Sequence, residues 1–350
     1  MRSNGLIAIL LTLFLFYNCS KDDFANNKVL DDRFFVQADG FSMPVWVQGN
    51  LASGKIILIV HGGPGQWATG FFNDRYADNC IEPYCAVAYW DQRASGLTQS
   101  NSTGKLKIED YVKDIMRVVR VLHHNYGDST QIYILSHSWG GLITPAFLAM
   151  DEAQKMVAGW VNVDGDSDYE YADYLSQQRM IQLSKSHLLQ AKDIVEWQKI
   201  LDFCNAHRSN ESKEVRGKIW EYGVQAEKML DEINNKRKLT IGFWVKEGIK
   251  TTGVSSFSYL SNRLQTKRST LDEDVYAFKI SQYLPKITTP ILCLWGKHDV
   301  LVPYELGDSL LKSVSSSDKQ LILLEQSGHY GMKSEPEVFW ENVRIWISKR

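Results

Sequence analysis

The sequence predicts an α/β fold in which a doubly wound, mostly parallel sheet carries an inserted helical cap. Short apolar runs alternate with amphipathic helical stretches in the first and last parts of the chain, a pattern typical of parallel strands with helices on both faces. Between these parts, residues 166–284 are rich in Gln, Lys, Glu and Tyr and contain no strand of comparable strength. We therefore expect a core formed by residues 32–165 and 285–350, with 166–284 as the cap.

The strands are predicted from apolar runs bounded by turn residues. Two antiparallel strands flank Asp39-Gly40, a dipeptide that favours a tight hairpin. Parallel strands should follow further along the chain. The predicted ranges are 33–38 and 41–47 for the hairpin, then 55–60, 85–89, 131–135, 157–163, 290–295 and 320–324. The carboxyl ends of the parallel strands are where such a sheet places its ligand site.

Helices are predicted between the strands and in the cap. An amphipathic helix is expected over 108–125, because its apolar residues fall on one face, and the last helix over 336–348. In the cap, 191–206 and 211–234 should form helices that roof a pocket and exclude water. A roof of this kind restricts access by large proteins and implies small substrates.

The length and composition agree with a globular protein that carries one extra subdomain. A chain of 350 residues, 44% of them apolar, can bury a substantial core, and its length allows about two domains. The net charge of -2 comes without a basic stripe, so the sequence carries no footprint for nucleic acid. No Cys/His spacing indicates a zinc site.

Ser138 is the candidate nucleophile. The apolar run that begins at Tyr133 breaks at Ser136-His-Ser-Trp-Gly140, and a helical stretch follows. A strand that turns sharply into a helix around a serine is the outline of a nucleophile elbow. The turn needs small residues two positions before and two after the serine, and Ser136 and Gly140 meet that need.

A serine hydroxyl is a poor nucleophile near neutral pH unless a histidine base and an orienting acid assist it. Asp299 stands in the Gly-containing loop after the predicted strand 290–295, and His329 in the loop after 320–324. The order Ser, Asp, His is that of α/β-hydrolases. We therefore predict a triad of Ser138, Asp299 and His329. Asp164, which follows the strand 157–163, is the alternative acid used in some members of the wider fold.

The oxyanion hole is predicted at the loop after the first parallel strand. His61-Gly-Gly-Pro-Gly65 follows that strand directly, and its glycines let backbone N–H groups approach a ligand. We assign the hole to the amides of Gly63 and Trp139, since the residue after the nucleophile supplies the second donor. His61 is interpreted as a structural partner of its loop rather than as a base.

Three separated motifs together resemble the proline iminopeptidase family of α/β-hydrolases. They are the His61–Gly65 loop, the segment Asp91-Gln-Arg-Ala-Ser-Gly96 and the elbow Ser138-Trp-Gly140. The resemblance covers the catalytic core and not the middle of the chain. Ala94 replaces the glycine after Arg93, and Ser136 replaces the first elbow glycine, so a neighbouring subgroup stays open. Asp91 and Arg93 are interpreted as an internal polar brace, with a substrate contact as the alternative.

The resemblance implies a serine aminopeptidase that releases an N-terminal residue from small peptides through an acyl-enzyme, without metal or organic cofactor. In that family, carboxylates of the cap region hold the free amino terminus. Asp166, Asp168 and Glu170 are available here, and their alternative interpretation is solvated acids at a domain junction. A carboxylesterase or other small-molecule hydrolase on the same core is the alternative function. The complete triad disfavours a noncatalytic binding protein.

The N-terminus resembles that of an exported lipoprotein. Arg2 precedes an apolar run over 6–17 that is short for a membrane span, which describes a signal peptide over 1–18. Cys19 resembles a lipidation site, with 19–31 as a tether; the alternative is an ordinary signal peptide with an incidental cysteine. Several acyl chains would anchor the enzyme stably to a bacterial envelope membrane. An oxidising compartment would also permit a bridge between Cys80 and Cys85, although plain thiols are equally compatible with the sequence.

Overall fold

A computed structural model describes residues 29–68, 81–98, 106–191, 193–234 and 271–350. Within these residues, eight strands form one sheet in the order β1-β2-β4-β3-β5-β6-β7-β8. The strands are β1 Val29–Ala38, β2 Phe41–Asn50, β3 Lys55–Val60, β4 Ala86–Trp90, β5 Gln131–His137, β6 Gly159–Val163, β7 Ile291–Gly296 and β8 Lys319–Leu324. β2 pairs antiparallel with β1 and β4, and all other neighbours are parallel. The predicted mostly parallel α/β sheet is confirmed.

The helices lie between the strands and in the cap. They are α1 Ile108–Tyr126, α2 Trp139–Leu148, α3 Ala153–Met156, α4 Tyr169–Leu189, α5 Ile194–Ala206, α6 Lys213–Asn234, α7 Leu271–Ala277, α8 Glu305–Ser313, α9 Gly331–Ser334 and α10 Pro336–Ser348. The predicted helix over 108–125 extends one residue further, and the predicted last helix has the observed bounds. In the cap, α5 and α6 match the two predicted helices, and α4 is a third.

The central strands β3 to β7 are buried on both faces, as their continuous apolar runs predict, whereas the edge strands β1 and β8 are partly exposed. Side chains alternate between the faces of a strand, so Ile56 and Leu58 of β3 join one apolar cluster, whereas Ile57 and Ile59 join the other. Helix α1 contributes to the first cluster and α10 to the second, which makes the sheet doubly wound.

The cap has its own small apolar core, which is separate from the two clusters of the sheet. Its members come from α4, α5 and α6, except for one residue from the loop after β7. They include Met180, Trp197, Ile200, Ile219, Ala226, Leu230 and Val300. Val300 directly follows Asp299, so the apolar contacts of the cap reach the loop that carries the predicted acid.

The observed boundaries differ from the predicted ones at the N-terminal hairpin. β1 begins at Val29 rather than at residue 33, because β2 also continues to Asn50 and pairs with it along the whole length. Residues 29–31, predicted as part of the tether, therefore lie in a strand. Cys19, Cys80 and the predicted signal peptide lie outside the described residues. Among the helices that the structure describes, none combines the length and apolar character needed to cross a membrane.

Candidate active site

Ser138 occupies the turn between β5 and α2 with φ 51° and ψ -119°. This left-handed φ is uncommon for a residue with a side chain and is sustained only where the surroundings over-determine it. Glycine is needed on the helix side, because a Cβ on Gly140 would lie 2.0 Å from the carbonyl oxygen of Val60. A Cβ on Gly141 would lie 2.5 Å from the Cα of Gly165. The turn therefore has the geometry of a nucleophile elbow.

Ser136 stands where the resemblance leads one to expect glycine, and its hydroxyl has specific partners. It accepts a hydrogen bond from Nε1 of Trp160 at 2.7 Å and donates one to Oδ1 of Asn162 at 3.2 Å. All three residues are buried. A small hydroxyl thus fits the elbow because the neighbouring strand β6 supplies both partners.

The structure brings Ser138, His329 and Asp299 together. The Ser138 hydroxyl lies 3.0 Å from Nε2 of His329, and Nδ1 of the same ring lies 2.8 Å from Oδ2 of Asp299. A carboxylate only accepts hydrogen bonds, so the ring proton belongs on Nδ1, which leaves Nε2 to accept from the serine. His329 and Asp299 are buried and Ser138 is half-buried. We call this chain of two hydrogen bonds the relay, and its geometry is that which a Ser-His-Asp triad requires.

Charge at the relay favours a protonated imidazole. Burial opposes the charged form of His329, but the Asp299 carboxylate outweighs it through charge and hydrogen bonding and raises the pKa of His329 well above 6.5. The other oxygen of Asp299 accepts from the backbone N of Val302 at 2.8 Å, which fixes the carboxylate in its loop.

Asp164, the alternative acid, lies at the end of β6 without a hydrogen bond to the imidazole among the described contacts. One oxygen accepts from the backbone N of Gly296 at 2.8 Å. Burial, followed by the charge of Asp299, raises the pKa of Asp164 well above its ordinary value of 3.8. The structure therefore places Asp299, and not Asp164, on Nδ1 of His329.

The predicted oxyanion loop approaches the serine closely. A Cβ on Gly62 would lie 3.3 Å from Cβ of Ser138, and Gly63 has φ 141°, a conformation that favours glycine. Gln92 links the start of this loop to the side chain of Trp139, because its Nε2 donates to the carbonyl oxygen of His61 at 2.8 Å and its Oε1 accepts from Nε1 of Trp139 at 3.0 Å. The buried side chain of Gln92 thus connects the His61–Gly65 loop with the residue that follows Ser138.

His61 has the contacts of a structural residue. Its Nδ1 donates to the carbonyl oxygen of Gly62 at 2.7 Å, and its Nε2 accepts from the backbone N of Gln92 at 3.2 Å. Burial lowers its pKa to about 4. A neutral ring with both nitrogens engaged agrees with its interpretation as a partner of the loop.

Asp91 and Arg93 have the contacts of a brace. Asp91 accepts from the backbone N of Ala68 and of Leu97, each at 2.9 Å. The guanidinium of Arg93 donates to the buried Asp114 at 2.7 Å. Ala94, which replaces the family glycine, has φ 52°, so this chain keeps the left-handed turn without the residue that favours it.

The three predicted substrate-binding acids lie in different surroundings. Asp166 is next to the nucleophile, since its backbone N donates to the Ser138 carbonyl oxygen at 3.0 Å. Burial raises its pKa to about 6. Asp168 instead accepts from the backbone N of Ile280 at 2.6 Å and from the hydroxyl of Ser281 at 2.7 Å. Glu170 is exposed, 3.7 Å from the ammonium of Lys279.

Asp173 was not singled out by the sequence reasoning and lies close to Asp166. The hydroxyl of Tyr276 donates to it at 3.2 Å, and the guanidinium of Arg216 stacks 3.9 Å from the centre of the Tyr276 ring. Burial raises the pKa of Asp173 to about 7, and the charge of Asp166 adds to the shift. One feature of the sequence could have identified Asp173: it lies one helical turn after Tyr169. The hydroxyl of Tyr169 donates to Asp166 at 3.2 Å.

Two further features bear on where a ligand could bind. A cavity of about 680 Å³ in the cap is lined by Asp168, Glu170 and Tyr171 among others, and by no triad residue. Side-chain atoms of His137, Asp164 and His329 lie within 4.8 Å of one another, a spacing that could hold a metal ion. Both ring nitrogens of His329 are already engaged, so a metal there would compete with the relay.

Comparison with known proteins agrees with this geometry. The sequence pattern described as alpha/beta hydrolase fold matches residues 55–336. A Bacillus subtilis (strain 168) protein named "Probable aminopeptidase YbaC" is 24% identical over 84% of this chain and 89% of its own. The proline iminopeptidase of Mycobacterium smegmatis has a TM-score of 0.61 at 14% identity, covering 91% of this chain and 98% of that one.

The fold is also similar to that of an esterase, with a TM-score close to the one for the proline iminopeptidase. The thermophilic esterase of Thermogutta terrifontis has a TM-score of 0.57 at 17% identity, covering 91% of this chain and 98% of that one. Likeness at these identities shows the fold, and it is shared by enzymes named for different reactions. The resemblance to proline iminopeptidases predicted from the three motifs is confirmed, and the match over residues 55–336 shows that the chain belongs to the α/β-hydrolase fold family.

Proposed function

We propose that this protein is a serine hydrolase that releases the N-terminal residue from small peptides through an acyl-enzyme. The observation that carries the proposal is the relay from Asp299 through His329 to Ser138, with distances of 2.8 and 3.0 Å, at a serine held in a left-handed turn. The α/β-hydrolase fold supports a hydrolytic reaction and suggests small substrates.

The proposed reaction is acyl transfer in two steps. His329 removes the proton of Ser138, whose oxygen attacks the carbonyl carbon of an amide, and the amides of Gly63 and Trp139 stabilise the oxyanion. The protonated imidazole then gives its proton to the leaving amine, and an acyl-enzyme forms. Water activated by the same imidazole hydrolyses this ester and regenerates the serine. Asp299 keeps the proton on Nδ1 and stabilises the imidazolium.

Two half-buried carboxyl groups support recognition of a free amino terminus. Asp166 is hydrogen-bonded through its backbone to Ser138, and Asp173 lies near it on α4. Burial raises the pKa of both, to about 6 and about 7, so an incoming ammonium group would gain by pairing with them. Asp168 and Glu170 were predicted for the same role, and their engaged or exposed carboxylates make them weaker candidates.

Carboxylester hydrolysis is the second candidate. The same relay serves both reactions, and an esterase is among the proteins of similar fold. The two functions differ in whether a free amine on the substrate matters, because an esterase has no need to pair it.

The test compares prolyl- and alanyl-β-naphthylamide with their N-acetylated forms and with p-nitrophenyl acetate. We expect turnover of the free amines and weak turnover of the blocked ones. Asp166→Asn should raise KM for the free amines and leave p-nitrophenyl acetate hydrolysis within a few-fold. Asp202→Asn is the control, since that carboxylate is exposed on α5. Equal cleavage of blocked and free substrates would contradict the aminopeptidase and favour the esterase.

We also propose that the protein is exported and lipid-anchored in a bacterial envelope membrane, on the periplasmic or surface face. The support is the sequence of residues 1–23, in which Cys19 follows a basic start and a short apolar run. Cys19→Ala should move the protein from the membrane to the soluble fraction and abolish palmitate incorporation. The proposed anchor would be overturned if Cys19→Ala fractionated like the wild type and the wild type incorporated no palmitate.

A further inference from the structure

Glu227 is a buried carboxyl group that extends from the cap to the catalytic loops. It lies on α6, only 8% exposed, beside Ala226 and Leu230, which belong to the apolar core of the cap. Gly223, one turn earlier, faces the same loop, because a Cβ there would lie 2.8 Å from Cδ2 of Leu301. This face of α6 therefore packs on the segment that follows Asp299.

The two oxygens of Glu227 accept from the two loops of the relay. Oε1 accepts from the backbone N of Val300 at 2.5 Å, one residue after Asp299. Oε2 accepts from the backbone N of His329 itself at 3.2 Å. A Cβ on Gly328 would lie 2.0 Å from Oε2, so the residue before the histidine leaves the room that the carboxyl group occupies. One side chain thus joins both loops.

Burial of the Glu227 carboxyl group costs free energy, and attachment of the cap alone would not require a carboxyl group. It forms no ion pair with a described residue, and burial together with the charge of Asp299 raises its pKa to about 8. An apolar side chain of similar volume would anchor a helix at lower cost than a buried carboxyl group that forms no direct ion pair. What an apolar side chain would not do is accept from the two amides and fix the positions of their loops.

We infer that Glu227 is a positioning residue, which holds the loops of Asp299 and His329 in register so that Nε2 of the imidazole faces Ser138. The inference rests on the proposed serine hydrolase, and it makes reactivity of the serine depend on a docked cap. Loss of the carboxyl group should misplace the imidazole without removing any reacting group. A shift of about 1 Å in such a group can reduce the rate about 10²-fold.

The test uses a fluorophosphonate probe, which reacts with an activated serine whatever the natural substrate is. The limiting rate of labelling, kinact, reports the relay, and the half-saturation constant KI reports probe binding. The full-length chain is compared with Glu227→Gln, whose NH2 group cannot accept from an amide. Glu221→Gln is the control, since Glu221 lies on the same helix with an exposed side chain paired to Lys218. Circular dichroism and thermal unfolding verify that each variant is folded.

We expect Glu227→Gln to lower kinact about 10²-fold, with KI within about twofold of the wild type, and Glu221→Gln to change neither. Equal kinact in the two variants would overturn the inference, and so would a raised KI with unchanged kinact, which marks a ligand-binding group. Glu227→Asp keeps the acid but shortens its reach, so its kinact must also fall below the wild-type value; a folded Glu227→Asp with wild-type kinact contradicts the inference. Absence of labelling in the wild type, or labelling in Ser138→Ala, would instead overturn the proposed function.

Discussion

Nε2 of His329 lies 3.0 Å from the hydroxyl oxygen of Ser138, although 191 residues separate them in the sequence. The contact exists because β5 and β8 end at the same edge of the sheet, and each opens into a loop that carries one of the two residues. The fold thus brings a base to an alcohol that would otherwise be inert near neutral pH.

Replacement of the nucleophile is the most direct prediction. Ser138→Ala should lower kcat by on the order of 10⁶-fold, because the proposed acyl-enzyme forms on the oxygen that this change removes. The fold should persist, since alanine removes one oxygen and leaves the backbone unchanged. Residual turnover and thermal unfolding should be measured on the same preparation. Activity within tenfold of the wild type would place the nucleophile elsewhere.

The two acids near the imidazole should differ in effect. Asp299→Asn should lower kcat about 10⁴-fold, because an amide no longer holds the proton on Nδ1. Asp164→Asn is the matched change, and it should cost much less, since Asp164 bonds to Gly296 rather than to the ring. Steady-state kinetics of both variants decide the assignment. A larger loss in Asp164→Asn would reverse the roles of the two acids.

The pH dependence follows from the raised pKa of His329. The ring must be neutral to accept a proton, so activity should be lost as the pH falls through that pKa, which lies above 6.5. Asp299 contributes most to raising that pKa, so Asp299→Asn should move the acidic limb to lower pH. Rates of fluorophosphonate labelling between pH 5 and 9 measure the acidic limb of the wild type and of Asp299→Asn. An acidic limb below pH 6.5 in the wild type would contradict the prediction.

The elbow should tolerate no side chain at Gly140. Gly140→Ala should destabilise the fold by about 1–3 kcal/mol or more, because the new Cβ meets the backbone oxygen of Val60, which cannot move aside like a flexible side chain. Gly217→Ala on α6 is the control: nothing lies within 4 Å of its added Cβ, and it should stabilise by about 0.5–1 kcal/mol. Urea unfolding gives both values. A neutral Gly140→Ala would show that the elbow can relax.

The core could be predicted from the sequence because its strands are buried on both faces and appear as continuous apolar runs. β7 is recognisable for that reason. β8 is only partly buried and is recognisable from its short aliphatic run over 321–324. The loops after these two strands contain Asp299 and His329. The chain order of the three residues and the shared edge of parallel strands were then enough to predict that they meet.

The cap could not be predicted to the same depth. Periodicity identifies α6 as a helix but does not say which core loop it packs on, so Glu227 looks in sequence like the solvated Glu221. Asp168 was predicted as a substrate acid because nothing in its neighbourhood reveals that residues 280–281 return to it and donate to its carboxylate. Contacts between distant segments decided both cases.

The cap departs from the sheet after β6 and rejoins it at β7, and these two strands pair directly, with Val161 opposite Leu292. The inserted cap therefore begins and ends at one pair of neighbouring strands. Its length and helices can diversify during evolution without shifting the register of any strand. A different cap could therefore give the pocket a different shape while the sheet stays the same.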